Sequence, residues 1–196
     1  ILDKGQPRID ENGATVGGFN TMVEAVAMRT HGLGGDSEVA LEEGGLEPNL
    51  ILGPRRILPL ALAAAAHPSI LMVLEKQAKS DVLDRLEGRF AFRTGLDDRF
   101  AAGLSASEQA LYDRLTPEPK PLSGLITAAS QMTSLARLVT RGLAMMSGYT
   151  PTDAQHVLGR QATGSVEAAQ LGATLFARKR DGRGRSIAGT AEDMAA

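Results

Sequence analysis

The chain reads as an α/β protein, strand-rich to about Gly95 and mostly helical after it. Three observations carry that expectation. Up to about residue 56, short apolar runs alternate with glycine-bearing turns, the pattern of short strands. From Pro68 onward, apolar residues recur mainly at helical spacing. The 196 residues are 43% hydrophobic, which is enough to bury a core and too apolar for a disordered chain.

Taken in order, Ile1-Leu2-Asp3, Lys4-Gly5 and Gln6-Pro7-Arg8-Ile9 predict a hairpin that turns on glycine, and Asp10-Glu11-Asn12-Gly13 predicts a second, stronger turn. Val23 to Thr30 mixes helical and extended preferences, with the strand favoured. Ser37-Glu38-Val39-Ala40-Leu41 alternates as a half-buried strand does, Glu42-Glu43-Gly44-Gly45 turns the chain, and Leu50-Ile51-Leu52 predicts a strand ending at Gly53-Pro54. Pro68 stands in a helix's first turn, with Ile70, Leu71, Val73 and Leu74 in phase through Lys79. Gly88 to Arg93 alternates as a strand.

After Gly95, Ser105 with Glu108 three positions on forms a capping-box pattern, opening a helix that buries Leu111 and Leu115 and stops at Pro117-Glu118-Pro119-Lys120-Pro121. A short segment from Leu122 to Ala129 follows, then a helix through Leu135, Leu138 and Val139 to Arg141-Gly142, and an extended stretch Leu143 to Gly148 in which Met145 and Met146 read as core filling. Thr150, Pro151 and Asp153 start a short helix to Leu158, and Val166 to Arg178 makes the last amphipathic one. Arg180 to Ala196 is expected to be frayed or cut from a longer element. The expected division is 1–95, 96–160 and 161–196.

Composition excludes several functions. With 21 Lys plus Arg against 23 Asp plus Glu, no uniform field draws the chain to nucleic acid or an anionic membrane. The longest apolar run, Ile57 to Ala66, is interrupted by Pro59 and is half the roughly 20 residues of a membrane-spanning helix, so no membrane partner is expected. The absence of cysteine rules out disulfides, thiolate zinc sites and a cysteine nucleophile, and leaves the cytoplasm as the default location. Five Phe, two Tyr and no Trp predict an aliphatic core and no stacking platform for single-stranded nucleic acid. The first residue is Ile1 and no signal peptide follows it, so the chain is expected to be a fragment of a longer protein.

The most informative segment is Thr30-His31-Gly32-Leu33-Gly34-Gly35-Asp36-Ser37-Glu38. Its glycines let backbone amides approach an anion with no Cβ in the way, and Thr30 and Ser37 offer hydroxyls. Asp36 suits magnesium held through water. The same segment also reads as an ordinary interstrand turn, because no Gly-Lys-Ser/Thr of a P-loop follows. His31 is either an acid or base near neutral pH or a packed, satisfied residue. The pair Arg55-Arg56 suits a carboxylate or phosphate, or a solvated surface. His67 and His156 show no ligand spacing and are assigned no metal.

Val16-Gly17-Gly18-Phe19 with Thr21-Met22-Val23, then Thr30 to Ser37, then Leu52-Gly53-Pro54-Arg55-Arg56 resemble segments of the hydantoinase A and 5-oxoprolinase family, which includes a ketone carboxylase subunit. Leu104-Ser105 with Glu108-Gln109-Ala110-Leu111, and Ser147 to Ala154 with His156 to Arg160, resemble later family segments. The resemblance implies an actin-like, ribonuclease-H-like ATPase lobe that uses ATP and magnesium. Its implied chemistry is phosphorylation of a carbonyl or enolate oxygen, which makes opening of a cyclic amide or carboxylation of a ketone feasible. It assigns Gly34, Gly35, Asp36 and Ser37 to the active cleft, with Gly18 and Thr30 beside them; His31 and Asp36 are the catalytic candidates and Asp36 the metal ligand. It further implies a small-molecule substrate and a second, larger subunit. The family's glycine-threonine-aspartate phosphate hairpin is expected just before Ile1, so this piece is expected to be inactive alone.

A different class of function rests on residues 104–160. Helix, short helix, helix and strand from Leu104 to Gly148 follow the element order of a winged helix-turn-helix. Ser134, Ala136, Arg137, Thr140 and Arg141 give its recognition face only two basic side chains, so packing or subunit contact is favoured over DNA. The run from Arg178 to Arg185 reads as a solvated tail.

Overall fold

The computed structural model describes residues 34–41 and 50–196 in full, together with the backbone pairing of six two-residue strands before them. The chain divides into two compact units, Ile1–Gly32 and Leu33–Ala196. In the first, β1 (Leu2–Asp3) pairs antiparallel with β2 (Gln6–Pro7), as the first hairpin predicted. β3 (Ile9–Asp10) pairs antiparallel with β6 (Ala25–Val26), and β4 (Thr15–Val16) with β5 (Phe19–Asn20). The turn at Asn12-Gly13 lies outside the described residues.

The second unit opens with β7 (Ser37–Leu41) paired antiparallel to β8 (Leu50–Arg56). β8 does not stop at Gly53-Pro54. The strand runs on to Arg56, and the register shifts between Ser37 and Val39, so the extra residues of β8 form a bulge there. Gly53 supplies the positive φ of 66° that the irregularity needs. The apolar run after it splits at its proline: β9 (Leu58–Pro59) leads straight into α1 (Leu60–Ala66). α2 (Ser69–Ala78), β10 (Phe90–Arg93) and a 3-10 turn (Asp98–Ala101) follow. Next come α3 (Ala106–Arg114), β11 (Lys120–Pro121), α4 (Leu122–Leu125), α5 (Ala129–Thr140) and β12 (Ala144–Gly148). α6 (Pro151–Val157), α7 (Val166–Ala177) and α8 (Ala191–Ala195) complete the chain.

A four-stranded mixed sheet in the order β11-β10-β12-β9 divides this unit into layers. β10 is antiparallel to both neighbours, whereas β12 and β9 are parallel, Ser147 opposite Leu58. Alternation along the strands feeds two cores. Ala91, Ala144 and Met146 join Leu111, Leu115, Leu135 and Leu138 on the side of α3 and α5. Phe90 and Tyr149 join Leu60, Ile70, Leu74 and Phe176 on the side of α1, α2 and α7. The cores are predominantly aliphatic, as composition predicted.

Several expectations change. The sheet takes strands from both sides of Gly95, and α7 packs on α1 and α2, so the expected divisions at 95 and 160 do not coincide with the compact units. Arg180 to Ala196 is not a frayed tail. Arg180 bridges to Ser186, and α8 sets Ala191 and Met194 against the second core. Of the two methionines only Met146 fills the core; Met145 is 39% exposed. Among the described residues no helix is long and apolar enough to cross a membrane.

Candidate functional site

The glycine segment enters β7 through a tight turn. The Ser37 amide donates to the Gly34 carbonyl at 3.0 Å and the Gly34 amide donates back to Ser37 Oγ at 2.9 Å. Two outside groups pin the turn: the Thr152 amide, in the first turn of α6, donates to the Gly35 carbonyl, and the Ile57 amide donates to the Asp36 carbonyl, both at 2.9 Å. A trans peptide sets its N–H opposite its C=O. The Gly35 and Asp36 amides therefore point away from the groups that fix the Gly34 and Gly35 carbonyls. Gly34 and Gly35 are exposed, Asp36 is half-buried and Ser37 is buried.

Charge is arranged along the start of β7. Asp36 accepts from the Arg56 guanidinium at 2.8 Å. Glu38 is buried and pairs with two guanidiniums, Arg89 and, at 3.4 Å, Arg55. Both arginines pair with carboxylates, Arg55 with a buried one and Arg56 from a largely exposed position, so Arg56 also fits the reading of a solvated, partly paired surface. Behind Glu38 a narrow cleft is lined by Ile57, Gly88, Arg89, Gly148, Tyr149, Gly172 and Lys179 among others. Burial lowers the Arg89 guanidinium from its ordinary range, lowers the Lys179 ammonium to about 8 and raises the Tyr149 phenol. Glu87, also on the cleft, is raised by burial.

Beneath the turn, Asp153 organises two helix starts. Oδ2 accepts from the Leu60 amide at 3.2 Å and from the Thr150 amide and hydroxyl at 2.9 Å, and Oδ1 accepts from the Ala61 amide at 2.7 Å. Burial raises this carboxyl against the pull of those donors. Because α6 also supplies the Thr152 amide, the placement of Gly35 depends on a carboxylate that never reaches the surface.

Of the residues singled out from sequence, Gly34, Gly35, Asp36 and Ser37 are brought together; Gly18, Thr30 and His31 lie outside the described residues. The Ser37 hydroxyl accepts the Gly34 amide and is 1% exposed, so it holds the turn instead of facing outward. Sequence reasoning missed Glu38, Arg89, Tyr149 and Lys179, which share one cleft although 141 positions separate Glu38 from Lys179.

His67 is not isolated from carboxylates, as its sequence neighbourhood implied. Its Nδ1 lies 3.2 Å from Glu118 Oε2, and the Ser69 hydroxyl donates to Glu118 Oε1. The carboxylate stands between serine and histidine, so the histidine is not placed to take the serine's proton. His156 uses Nδ1 on the Thr152 carbonyl at 2.8 Å, a structural bond. Among the described residues no group of three His, Cys, Asp or Glu side chains is placed to hold a metal. No family model, curated protein or solved structure matches the chain.

Proposed function

We propose that the chain belongs to an ATP-dependent enzyme of the hydantoinase and oxoprolinase type, built on an actin-like ATPase lobe. It phosphorylates a carbonyl oxygen so that a cyclic amide is opened or a ketone carboxylated. The observation that carries this reading is the turn Gly34 to Ser37. Its Gly35 and Asp36 carbonyls accept from Thr152 and Ile57, the Gly35 and Asp36 amides point away from the groups that fix the Gly34 and Gly35 carbonyls, and Gly34 and Gly35 are exposed, with Arg56 paired to Asp36 beside them. Fixed N–H dipoles favour a polyanion without reorganising when it arrives.

Asp36 is the carboxylate that would hold magnesium through its water shell. A single carboxylate suits an ion that keeps several waters and draws further ligands from phosphate oxygens. When bound, the ion neutralises phosphate charge. Arg56, paired with Asp36 in the structure, supplies a guanidinium within reach of the same anion. Gly18, Thr30 and His31 enter this proposal through the resemblance alone. The substrate is a small cyclic amide or ketone, the partner a larger subunit and the location the cytoplasm.

ATP turnover by the full-length protein with its partner subunit tests the reading, with hydantoin, oxoproline or a small ketone as substrate. ADP release should depend on one of these substrates and fall about 100-fold in Asp36→Ala. Unchanged turnover in that variant, or none with any substrate, sinks it.

The element order from Ala106 to Gly148 favours a second reading for that stretch as a subunit-contact module. The Arg137 guanidinium donates to Glu108 and that of Arg141 to the carbonyls of Phe100 and Ala102. Both basic side chains of the recognition face are thus engaged within the protein. Salt-dependent binding of duplex DNA would reverse the preference for a protein contact.

A further inference from the structure

One edge of the β7–β8 hairpin is left open. Among the described strands β8 pairs with β7 alone, and the outer side of β7 is taken up within the molecule, the Val39 amide donating to the Tyr149 carbonyl at 3.4 Å. The four-stranded sheet closes its edges. Its edge strand β11 contains Pro121 and follows Pro119, and the opposite edge strand β9 ends in Pro59 and passes straight into α1. Proline cannot donate to a ladder, so those edges resist a further strand. In β8 no proline or charge interrupts Leu50-Ile51-Leu52.

Exposure shows what fits the open edge. Leu50, Ile51 and Leu52 are 46%, 40% and 41% exposed. The register sets Leu50 opposite Leu41 and Leu52 opposite Val39, on the face that meets the second core, and Ile51 opposite Ala40 on the other face. Apolar surface is thus open on both faces of one strand. A helix laid on the hairpin would cover a single face, whereas a strand added at the edge covers part of both and pairs with the free backbone groups of β8. Pro54 has no amide N–H to give, so such a ladder runs along Leu50 to Leu52 and stops.

We propose that the occupant is β8 of a second copy of this chain, added antiparallel about a two-fold axis through Ile51. Leu50-Ile51-Leu52 reads the same in both directions, so each Leu50 meets a Leu52 and Ile51 meets Ile51, as a two-fold interface requires. Charge favours the same direction. In sequence the stretch is preceded by Glu42, Glu43 and Glu47 and followed by Arg55 and Arg56, so antiparallel copies bring unlike charge together and parallel copies like charge. The contact is small, which makes the dimer transient, with a Kd on the order of 100 µM. It uses none of the groups assigned to phosphate above and stands apart from that reading.

Sedimentation velocity of the full chain from about 5 to about 500 µM tests it. Monomer should give way to dimer, and amide exchange at Leu50 to Leu52 should slow as it does. Ile51→Lys sets two ammoniums opposite each other and should raise the Kd at least about tenfold, as should Ile51→Glu; mixed in equal amounts the two variants should associate again. Ile51→Thr, which keeps the branched strand-forming shape, should weaken the dimer without unfolding the hairpin. Met72→Lys, which removes an exposed apolar side chain from α2, should leave association unchanged. A monomer at every concentration overturns the proposal and leaves the edge to a strand of another protein. So does a dimer that Ile51→Lys leaves intact or that Met72→Lys weakens equally, a mixed pair that stays apart, or slowed exchange confined to another segment.

Discussion

Gly35 shows how one missing methyl group can hold a site together. A Cβ built there would stand 2.5 Å from Thr152 Oγ1, and a β-branched side chain at a helix start has little freedom to swing aside. Gly35→Ala should therefore push the turn off α6 and lower stability by about 1–3 kcal/mol, read from urea unfolding. Adding Thr152→Ala should restore most of the loss; failure to do so would assign the cost to the backbone instead of the clash. The turn at Gly34, Gly35 and Asp36 is legible in the sequence because a glycine cluster between two strand patterns is a local signal. Nothing local marks that Ser37 turns its hydroxyl inward, nor that Asp153 caps amides 92 and 93 positions away. Those partners are set by packing across the sheet, which leaves no mark on spacing.

Elements whose ends are coded by neighbouring residues were the readable ones. α3 starts where Ser105 and Glu108 exchange bonds: the Glu108 amide donates to Ser105 Oγ at 3.3 Å and the Ser105 amide to Glu108 Oε2 at 2.8 Å. Glu108 is held below the usual carboxylate range chiefly by that backbone bond. Ser105→Ala should cost about 1 kcal/mol in thermal unfolding, whereas Ser105→Asp should cost nearly nothing because it caps as well. α6 was legible for the same reason, through Thr150 and Asp153. α8 was not, since five residues carry too little periodicity, and its order comes from Ala191 and Met194 meeting a core made elsewhere. β8 outruns its expected end because Gly-Pro usually stops a strand, while here it lies within a bulge whose strand continues.

Across the whole unit, α7 is bound to the segment after α2 by Arg178, which donates to the Ala78 and Ser80 carbonyls, and by Lys179, which donates to that of Arg85. Burial lowers Lys179 from 10.5 to about 8, so between those values the unfolded chain binds more protons than the folded one. Stability should rise with pH through that window, and below about pH 8 the full cost of the desolvated ammonium remains. Urea unfolding at pH 7.5 and pH 10 should show the unsubstituted chain gaining on Lys179→Met; a constant difference would refute the assignment. The sheet was the least legible feature, because β9 and β12 pair in parallel across some 90 residues. That pairing has a consequence during synthesis. With its central partner β12 at Ala144–Gly148, β9 has no strand to pair with until some 90 further residues have left the ribosome. Chaperone capture of nascent Leu58 and Leu60 would shield the strand during that wait.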